Sequence, residues 1–462
     1  MIGSNHSLSR DRDDNQTCLR TIEVCSGART TMNHEKHSKS TASAPSADAA
    51  PIRDERPGVT LDAHVVFLVN FLAPNHIAVC EELRRRCRRL TVLCSVAMEG
   101  NRDWTPDWKG LDVRVQKTWT LTRNVEHPGG YHDVNYVHIP TDTFSQLRGL
   151  RPDAVVSLEL GARTAMAATY QRMTRRCAMV ISVNASERSE AGRGVLRRVT
   201  RKRLLRTADW VTYNGPSCQR YLRSLGADPE RMSPWDYAAD PDKPFRGEIE
   251  SRNTQRCENS LRVLTVGQLS QRKGVSGAIE HLSRWASDHS NIMLHWHLLG
   301  NGPMEASLRS FNHPENLRLH FHGHCDSDQI QNHYRDCDVL LFPTLTDEWG
   351  LVVDESLHSG LPVIGSIHSQ AVTTLITESK NGFRYDPGDA DSLSVAFESF
   401  ARLDADQRLQ MRHDARAGVT SRTPATSAAQ LIHAIERSTS HRLGTAIPQS
   451  IRTNSIQEDR GQ

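Results

Sequence analysis

Between residues 58 and 440 short apolar runs alternate with stretches of helical periodicity. HVVFLV (64–69), TVLCSV (91–96), AVVSLE (154–159), AMVISV (178–183) and ADWVTYN (208–214) read as strands, and IAVCEELRRRCRRL (77–90) as a helix among them. A second series follows with LRVLTVGQL (261–269), IMLHWHLLG (292–300), LRLHFHG (317–323), DVLLFP (338–343) and LPVIGS (361–366), its gaps filled by helical segments such as PMEASLRSF and SDQIQNHYRDC. Alternation of this kind predicts a parallel sheet with covering helices. The chain is therefore expected to be α/β, with an amino-terminal half at 58–245 and a carboxyl-terminal half at 261–438. The Pro- and charge-rich stretch PDKPFRGEIESRNTQRCENS separates them, with the linker itself placed at 246–260. Ligands of such sheets bind beyond the carboxyl ends of the strands, so the cleft between the halves is the expected site.

The flanks change this picture little. Residues 1–57 and 439–462 are polar and lack apolar periodicity, which predicts disorder because too little surface can be buried to offset chain entropy. The longest apolar run, HVVFLVNFLA, is too short to span a bilayer, and no signal peptide precedes it. The 57 basic and 54 acidic residues leave a net charge of +3, so no global charge demands nucleic acid or membrane. Ten cysteines without a CxxC pair read as the reduced thiols of a cytoplasmic protein. The 22 histidines permit a structural zinc site in principle, but no Cys/His spacing supports one, and no metal is expected. The basic runs ELRRRCRRL (82–90) and RRVTRKRLLR (197–206) fit either a peripheral contact with anionic lipid, at the inner face of a cell membrane, or a solvated helix face. Without interleaved aromatics or a recognition motif they do not suggest nucleic acid.

The densest chemistry lies in DVLLFPTLTDEWGLVVDESLHSGLPVIGS (338–366), which reads as strand, loop, helix and strand. Pro343 ends the strand, Gly350 stands where the loop enters a helix over 350–359, Gly360 caps it and Pro362 follows. The helix start, with free N–H groups and a positive dipole, is a receptor for phosphate. Leu351, Val352 and Glu355 share an inward face, and Asp354 is expected to point to water. An inward carboxylate needs partners, which sugar hydroxyls supply as well as a nearby Arg does; Asp347 alone reads as a capping residue.

As a whole the segment resembles the signature of family 4 retaining glycosyltransferases, enzymes of GT-B fold with two facing Rossmann-like domains, many of them acting in cell-surface polysaccharide synthesis. FPTLTDEWGLVVDESLHSGLPVIGS follows the family's two acids eight positions apart around an aromatic-Gly pair, then Gly-x-Pro-Val. The resemblance implies that Asp347 contacts donor-sugar hydroxyls, that Glu355 binds the ribose, and that the backbone of Trp349, Gly350, Leu351 and Val352 lies against sugar and diphosphate. The family's first acid is usually Glu, so Asp347 shortens that reach by one methylene. A second match is VLTVGQLSQRKGVSGAIEHL (263–282), where relatives place an Arg directly after the first Gly and a Lys before the second to neutralise the departing diphosphate. Lys273 keeps its place after Gly267; Gln268 replaces the Arg, and Arg272 is the candidate to restore its charge. Gly300 and Gly302 match a Gly-x-Gly-Pro turn, and the resemblance implies that His324, the residue after the next strand's Gly, lines the base pocket.

The amino-terminal half carries less of the pattern. Relatives often have a Gly-Gly loop after the first strand, where this chain has NFLAPNHIAVCEEL; Asn70 and His76 are acceptor-side candidates there, and Glu187 in ISVNASERSEAGRG is a third. Glu159 stands where relatives often carry a His. The resemblance implies a metal-independent transferase without cofactor, using a UDP- or GDP-linked sugar and a saccharide or lipid-linked acceptor. A same-fold nucleotide-sugar epimerase, a phosphorylase and a non-enzymatic interaction protein on a degenerate scaffold share the cleft and remain open. A dehydrogenase is disfavoured because no G-x-G-x-x-G with a following acid sits on the first strand.

Overall fold

The computed structural model describes residues 60–100, 107–127, 131–251, 259–389 and 391–443. The tail expected at 1–57, and that beyond 443, lie outside them. The first half contains strands β1 (Leu61–Val69), β2 (Cys87–Cys94), β3 (Val113–Val115), β4 (Thr118–His127), β5 (Tyr131–Pro140), β6 (Ala154–Leu158), β7 (Ala178–Val183), β8 (Trp210–Tyr213) and β9 (Met232–Pro234). The second contains β10 (Ser260–Val266), β11 (Met293–Leu299), β12 (Leu317–Gly323), β13 (Val339–Phe342), β14 (Val363–Ser366) and β15 (Gly382–Tyr385).

Two parallel sheets result, ordered β3-β2-β1-β6-β7-β8-β9 and β12-β11-β10-β13-β14-β15. Their central strands are buried on both faces: every residue of β6, β7, β13 and β14 is buried, as is β1 from Ala63 onward. That accounts for their unbroken apolar runs. In each sheet the order of strand addition reverses at two adjacent parallel strands, β1 and β6 in one and β10 and β13 in the other, which opens a crevice at their carboxyl ends. The predicted helix over 77–90 is shorter: it spans Pro74–Arg86, and Cys87 already begins β2. Arg88 and Arg89 of the first basic run thus lie on a strand, paired with Asp62, Asp153 and Asp112. The antiparallel pair β4–β5 had no counterpart in the sequence reading.

The domain boundary also shifts. Helix Pro424–Leu443, assigned from sequence to the second half with a tail beginning at 439, places Ala428, Leu431, Ile432, Ala434 and Ile435 in the same apolar cluster as Val65, Phe67, Val79, Leu83 and Val156 of the first. Ser427 Oγ donates to Asp236 O at 2.9 Å and Arg442 Nε to Cys177 O at 3.0 Å, fixing the helix at both ends. The region called a linker is packed where it is described. Phe245 N–H donates to Ser359 Oγ at 2.9 Å, Arg416 Nη1 donates to Gly247 O at 2.7 Å, and Ile249 lies against Gly360.

Leu431 is fully buried, so Leu431→Ala is expected to cost about 2–5 kcal/mol in denaturant unfolding. Amide exchange should accelerate in β7 and β8, which the helix packs against; faster exchange confined to β10–β15 would contradict the placement.

Candidate active site

At the second sheet's switch point two loops meet. After β10 the chain turns at Gly267 and forms a short 3₁₀ turn, Gln271–Lys273, closed by Gly274 in the left-handed region at φ +68°. A Cβ on Gly274 would lie 2.0 Å from Pro343 O, so only glycine lets this loop rest on the end of β13. Leu345 N–H donates to Arg272 O at 2.8 Å, and Arg272 Nη1 to Thr346 O at 3.0 Å. The outcome is an ion pair between two segments 74 positions apart: Lys273 Nζ lies 2.6 Å from Asp347 Oδ2, with Arg272 Nη1 at 3.5 Å. Burial pushes the Asp347 carboxyl up, but the charges of Lys273 and Arg272 and the Lys273 hydrogen bond outweigh it and leave its pKa below the ordinary value. Thr265, Gly267, Gln268, Lys273, Phe342 and Pro343 line a cavity of about 10 Å³, room for roughly one water.

Gly300 and Gly302 turn out to serve loop packing. Cβ atoms there would fall 2.1 Å from Gly267 O and 2.2 Å from Leu269 O, and Leu269 N–H donates to Asn301 O at 2.9 Å. The 300–302 turn thereby backs the Gly267–Leu269 segment. His324 is exposed just past β12, whose Gly323 accepts from Gly300 N–H at 2.7 Å.

The helix after the Asp347 loop is Leu351–His358. Gly350 takes φ +105° at its start, where a Cβ would press on Phe342 and Ser369 at 2.9 Å. Glu355 faces inward as expected and is 8% exposed; its Oε2 accepts from Tyr334 Oη at 2.9 Å. Burial pushes its pKa up to about 7 against the opposing Tyr334 hydrogen bond. Asp354, expected to point to water, is instead fully buried. Arg422 Nε donates to its Oδ1 at 3.1 Å and Trp349 Nε1 to its Oδ2 at 3.1 Å, while Arg422 Nη1 reaches Asp236 at 2.9 Å. Trp349 is buried beneath the Arg422 guanidinium, 4.9 Å from its ring centre, so only its backbone is placed for a ligand.

On the opposing side the acceptor candidates fare differently. His76 is buried on the inner face of helix Pro74–Arg86, stacked 5.9 Å from Trp235 and tilted 5.6 Å from Tyr237, and neither ring nitrogen has a hydrogen-bond partner among the described residues. Burial lowers its pKa to about 4, and its place inside an aromatic cluster removes it as a contact for an acceptor. Asn70 Oδ1 accepts from the buried Arg163, which also donates to Leu158 O at 2.7 Å; the pair braces the carboxyl ends of β1 and β6. Glu187 is exposed and held by Arg220 at 2.7 Å. Glu159 closes β6 in the left-handed region, φ +67°, half exposed in the crevice.

The halves are latched by residues no motif flagged. Gln370 is buried; its Nε2 donates to Ala185 O and Glu348 O, both at 2.7 Å, and its Oε1 accepts from Cys218 N–H at 3.0 Å. Asn214 Nδ2 also donates to Glu348 O, at 3.0 Å, and Arg188 Nε to Leu345 O at 3.2 Å. These bonds put the loop before helix Leu351–His358 directly against the loops that follow β7 and β8. Arg422, Gln370 and Tyr334 sit in no recognisable spacing; an inward Glu355 was the one signal that a buried donor such as Tyr334 must exist.

Two family profiles match the chain, "Glycosyl transferase 4-like domain" over residues 78–235 and "Glycosyl transferases group 1" over residues 248–418, together more than half its length. The chain belongs to the group 1 glycosyltransferases. Among relatives of this family, WcaL of Salmonella typhimurium, named for colanic acid biosynthesis, is 25% identical over 193 residues, 40% of this chain and 46% of that protein. The amylovoran biosynthesis glycosyltransferase AmsK of Erwinia amylovora is 26% identical over 196 residues, 41% of this chain and 46% of that one. The chain thus spans less than half the length of the curated relatives it matches. Sucrose-phosphate synthase from Thermosynechococcus elongatus superimposes with a TM-score of 0.61 at 14% identity, over 81% of this chain and 98% of that one. HepE of Anabaena, solved with UDP-glucose, gives 0.58 at 15% identity over 81% and 99%. These likenesses establish the GT-B fold for this group 1 glycosyltransferase.

Two outcomes follow from its buried charges. An unfolded Glu titrates near 4.5 and folded Glu355 near 7, so between those values unfolding releases a proton and stability falls as pH rises, by about 3 kcal/mol in total. Below pH 4.5 this penalty is absent. Glu355→Gln should therefore melt increasingly above the native protein from pH 5 to pH 8; a constant difference across that range would refute the raised pKa. Arg422→Met leaves Asp354 buried without its cation and should cost about 3–5 kcal/mol in denaturant unfolding.

Proposed function

We propose that this protein is a retaining glycosyltransferase that moves a sugar from a UDP- or GDP-linked donor to an acceptor hydroxyl in cell-surface polysaccharide or glycolipid synthesis. The observation that carries the reading is the meeting of Lys273, Arg272 and Asp347 at the mouth of the second sheet's crevice, beside the start of helix Leu351–His358. The donor's diphosphate lies at that helix start and against Lys273, displacing Asp347 from the lysine and freeing the carboxylate for sugar hydroxyls. Glu355 takes the ribose hydroxyls. HepE, a fold neighbour solved with UDP and glucose, supports a nucleotide sugar as the ligand class.

In the reaction the bond between the anomeric carbon and the diphosphate oxygen breaks, and the acceptor oxygen bonds to the same carbon on the same face. A departing phosphate oxygen takes the acceptor proton, so no protein nucleophile is required. Negative charge that builds on the diphosphate meets fixed cations and helix N–H groups that need no reorganisation. Neither a metal nor a cofactor enters this scheme.

The acceptor is a saccharide, free or lipid-linked, entering from the first half. There the loop 184–194 leads into helix Val195–Leu205, on which Val195 and Leu196 are 79% and 81% exposed next to Arg197, Arg198 and Lys202. Apolar side chains ringed by cations suit the interfacial region of an anionic membrane, and we place the enzyme at the inner face of the cell membrane as a peripheral protein. No helix among the described residues is long and apolar enough to cross one.

Lys273→Ala should lower sugar transfer by at least about a hundredfold while UDP or GDP still binds. Transfer at the native rate would remove the role. A protein that bound neither nucleotide in calorimetry would instead be a scaffold without this activity.

A further inference from the structure

Strands β11 and β12 each carry an H-x-H pair, His295 and His297 on one and His320 and His322 on the other. Alternate residues of a strand share a face, and with His297 opposite His320 in the parallel register the four rings gather on one side of the sheet edge. Helix Ser327–Asp336 packs on that side and adds His333, its ring 5.2 Å from His297 and 4.5 Å from His322. A sheet face under a helix ordinarily buries aliphatic side chains, and partly burying several imidazoles there is unfavourable unless their nitrogens find partners.

The ligating nitrogens of His297, His322 and His333 all lie within 4.8 Å of one another, and Nδ1 of His297 is 3.0 Å from Nε2 of His322. Tetrahedral zinc with Zn–N bonds of about 2.0–2.1 Å holds its nitrogens roughly 3.3 Å apart, so small side-chain rotations close the triad. Burial, reinforced by the neighbouring imidazoles, holds His297 at about 3 and His333 at about 4, which leaves their lone pairs available at neutral pH. His322 is exposed, so an ion can enter from solvent and keep a water as fourth ligand. The expectation of no metal rested on the absence of a local Cys/His spacing; here the ligands are spaced by sheet register instead.

We propose that His297, His322 and His333 bind a divalent transition ion of the zinc class. The ion fastens the edge of the second sheet to helix Ser327–Asp336. His333 precedes Tyr334, whose hydroxyl donates to Glu355, so the ion stiffens the wall behind the crevice while standing apart from the diphosphate site.

The test uses the full chain without an affinity tag, stripped with a chelator and titrated with Zn²⁺ in a calorimeter. One equivalent should bind with micromolar or tighter affinity and raise the melting temperature, while Mg²⁺ does neither; Co²⁺ should give the visible absorption of a tetrahedral site. His322→Gln, at an exposed position, should weaken Zn²⁺ binding at least about tenfold without altering the melting temperature of the metal-free protein, and His322→Gln with His333→Gln should abolish it. His295→Gln should leave it unchanged. Absence of saturable Zn²⁺ binding, or binding that survives the His322 change, would overturn the proposal. Should the double variant fail to fold, the single exposed change decides.

Discussion

The arrangement depends on one buried charge cluster. Arg422, just ahead of the last helix, meets Asp354 on the helix that opens into the crevice and Asp236 on the segment leaving the first sheet, and its guanidinium covers Trp349. Arg422 and Asp354 sit in a low-dielectric interior, with Asp236 at its edge, and there each buried charge is tolerable only while its partner stays in place. Geometry rather than net energy is what such a cluster fixes: the helix cannot rotate, nor the Trp349 loop lift, without stranding a carboxylate. Every placement in the crevice inherits that constraint, from the Asp347 carboxylate to the inward turn that holds Glu355.

Within this frame, Lys273 and Asp347 neutralise one another in the absence of ligand. A lysine so held is already ordered, so on the proposed donor site an incoming anion would trade places with a carboxylate instead of ordering a solvated side chain. On the donor site proposed above the cost is competition, since the donor would have to out-compete Asp347 for the ammonium. Gln370 adds a second constraint, because its amide engages backbone from both halves with good geometry at all three bonds.

Much of this was legible in the chain. Strands buried on both faces announce themselves as unbroken apolar runs, which is why β1, β6, β7, β13 and β14 were placed within a few residues. The crevice followed from their order. Lys273, Asp347 and Glu355 stand out in the sequence because the spacing of acids, glycines and lysine is local. What stayed hidden depends on distance. Asp354 looked solvent-facing because its cation lies 68 positions away. His76 looked cleft-facing until the helix orientation turned it toward Trp235. The histidine triad, at 297, 322 and 333, is assembled by the pairing of two parallel strands and a helix, which no spacing rule encodes. β4 and β5 mix Thr, Trp, Asn and charged residues, so their alternation is too weak to stand out.

The final helix seals the core of the half that is made first. During synthesis the amino-terminal sheet leaves the ribosome with its groove beside Val79 and Leu83 uncovered, and it stays so while the entire second sheet is produced. A protein cut short before residue 424 would therefore betray itself in its oldest part, presenting apolar surface to chaperones and proteases from the domain that had the longest time to fold.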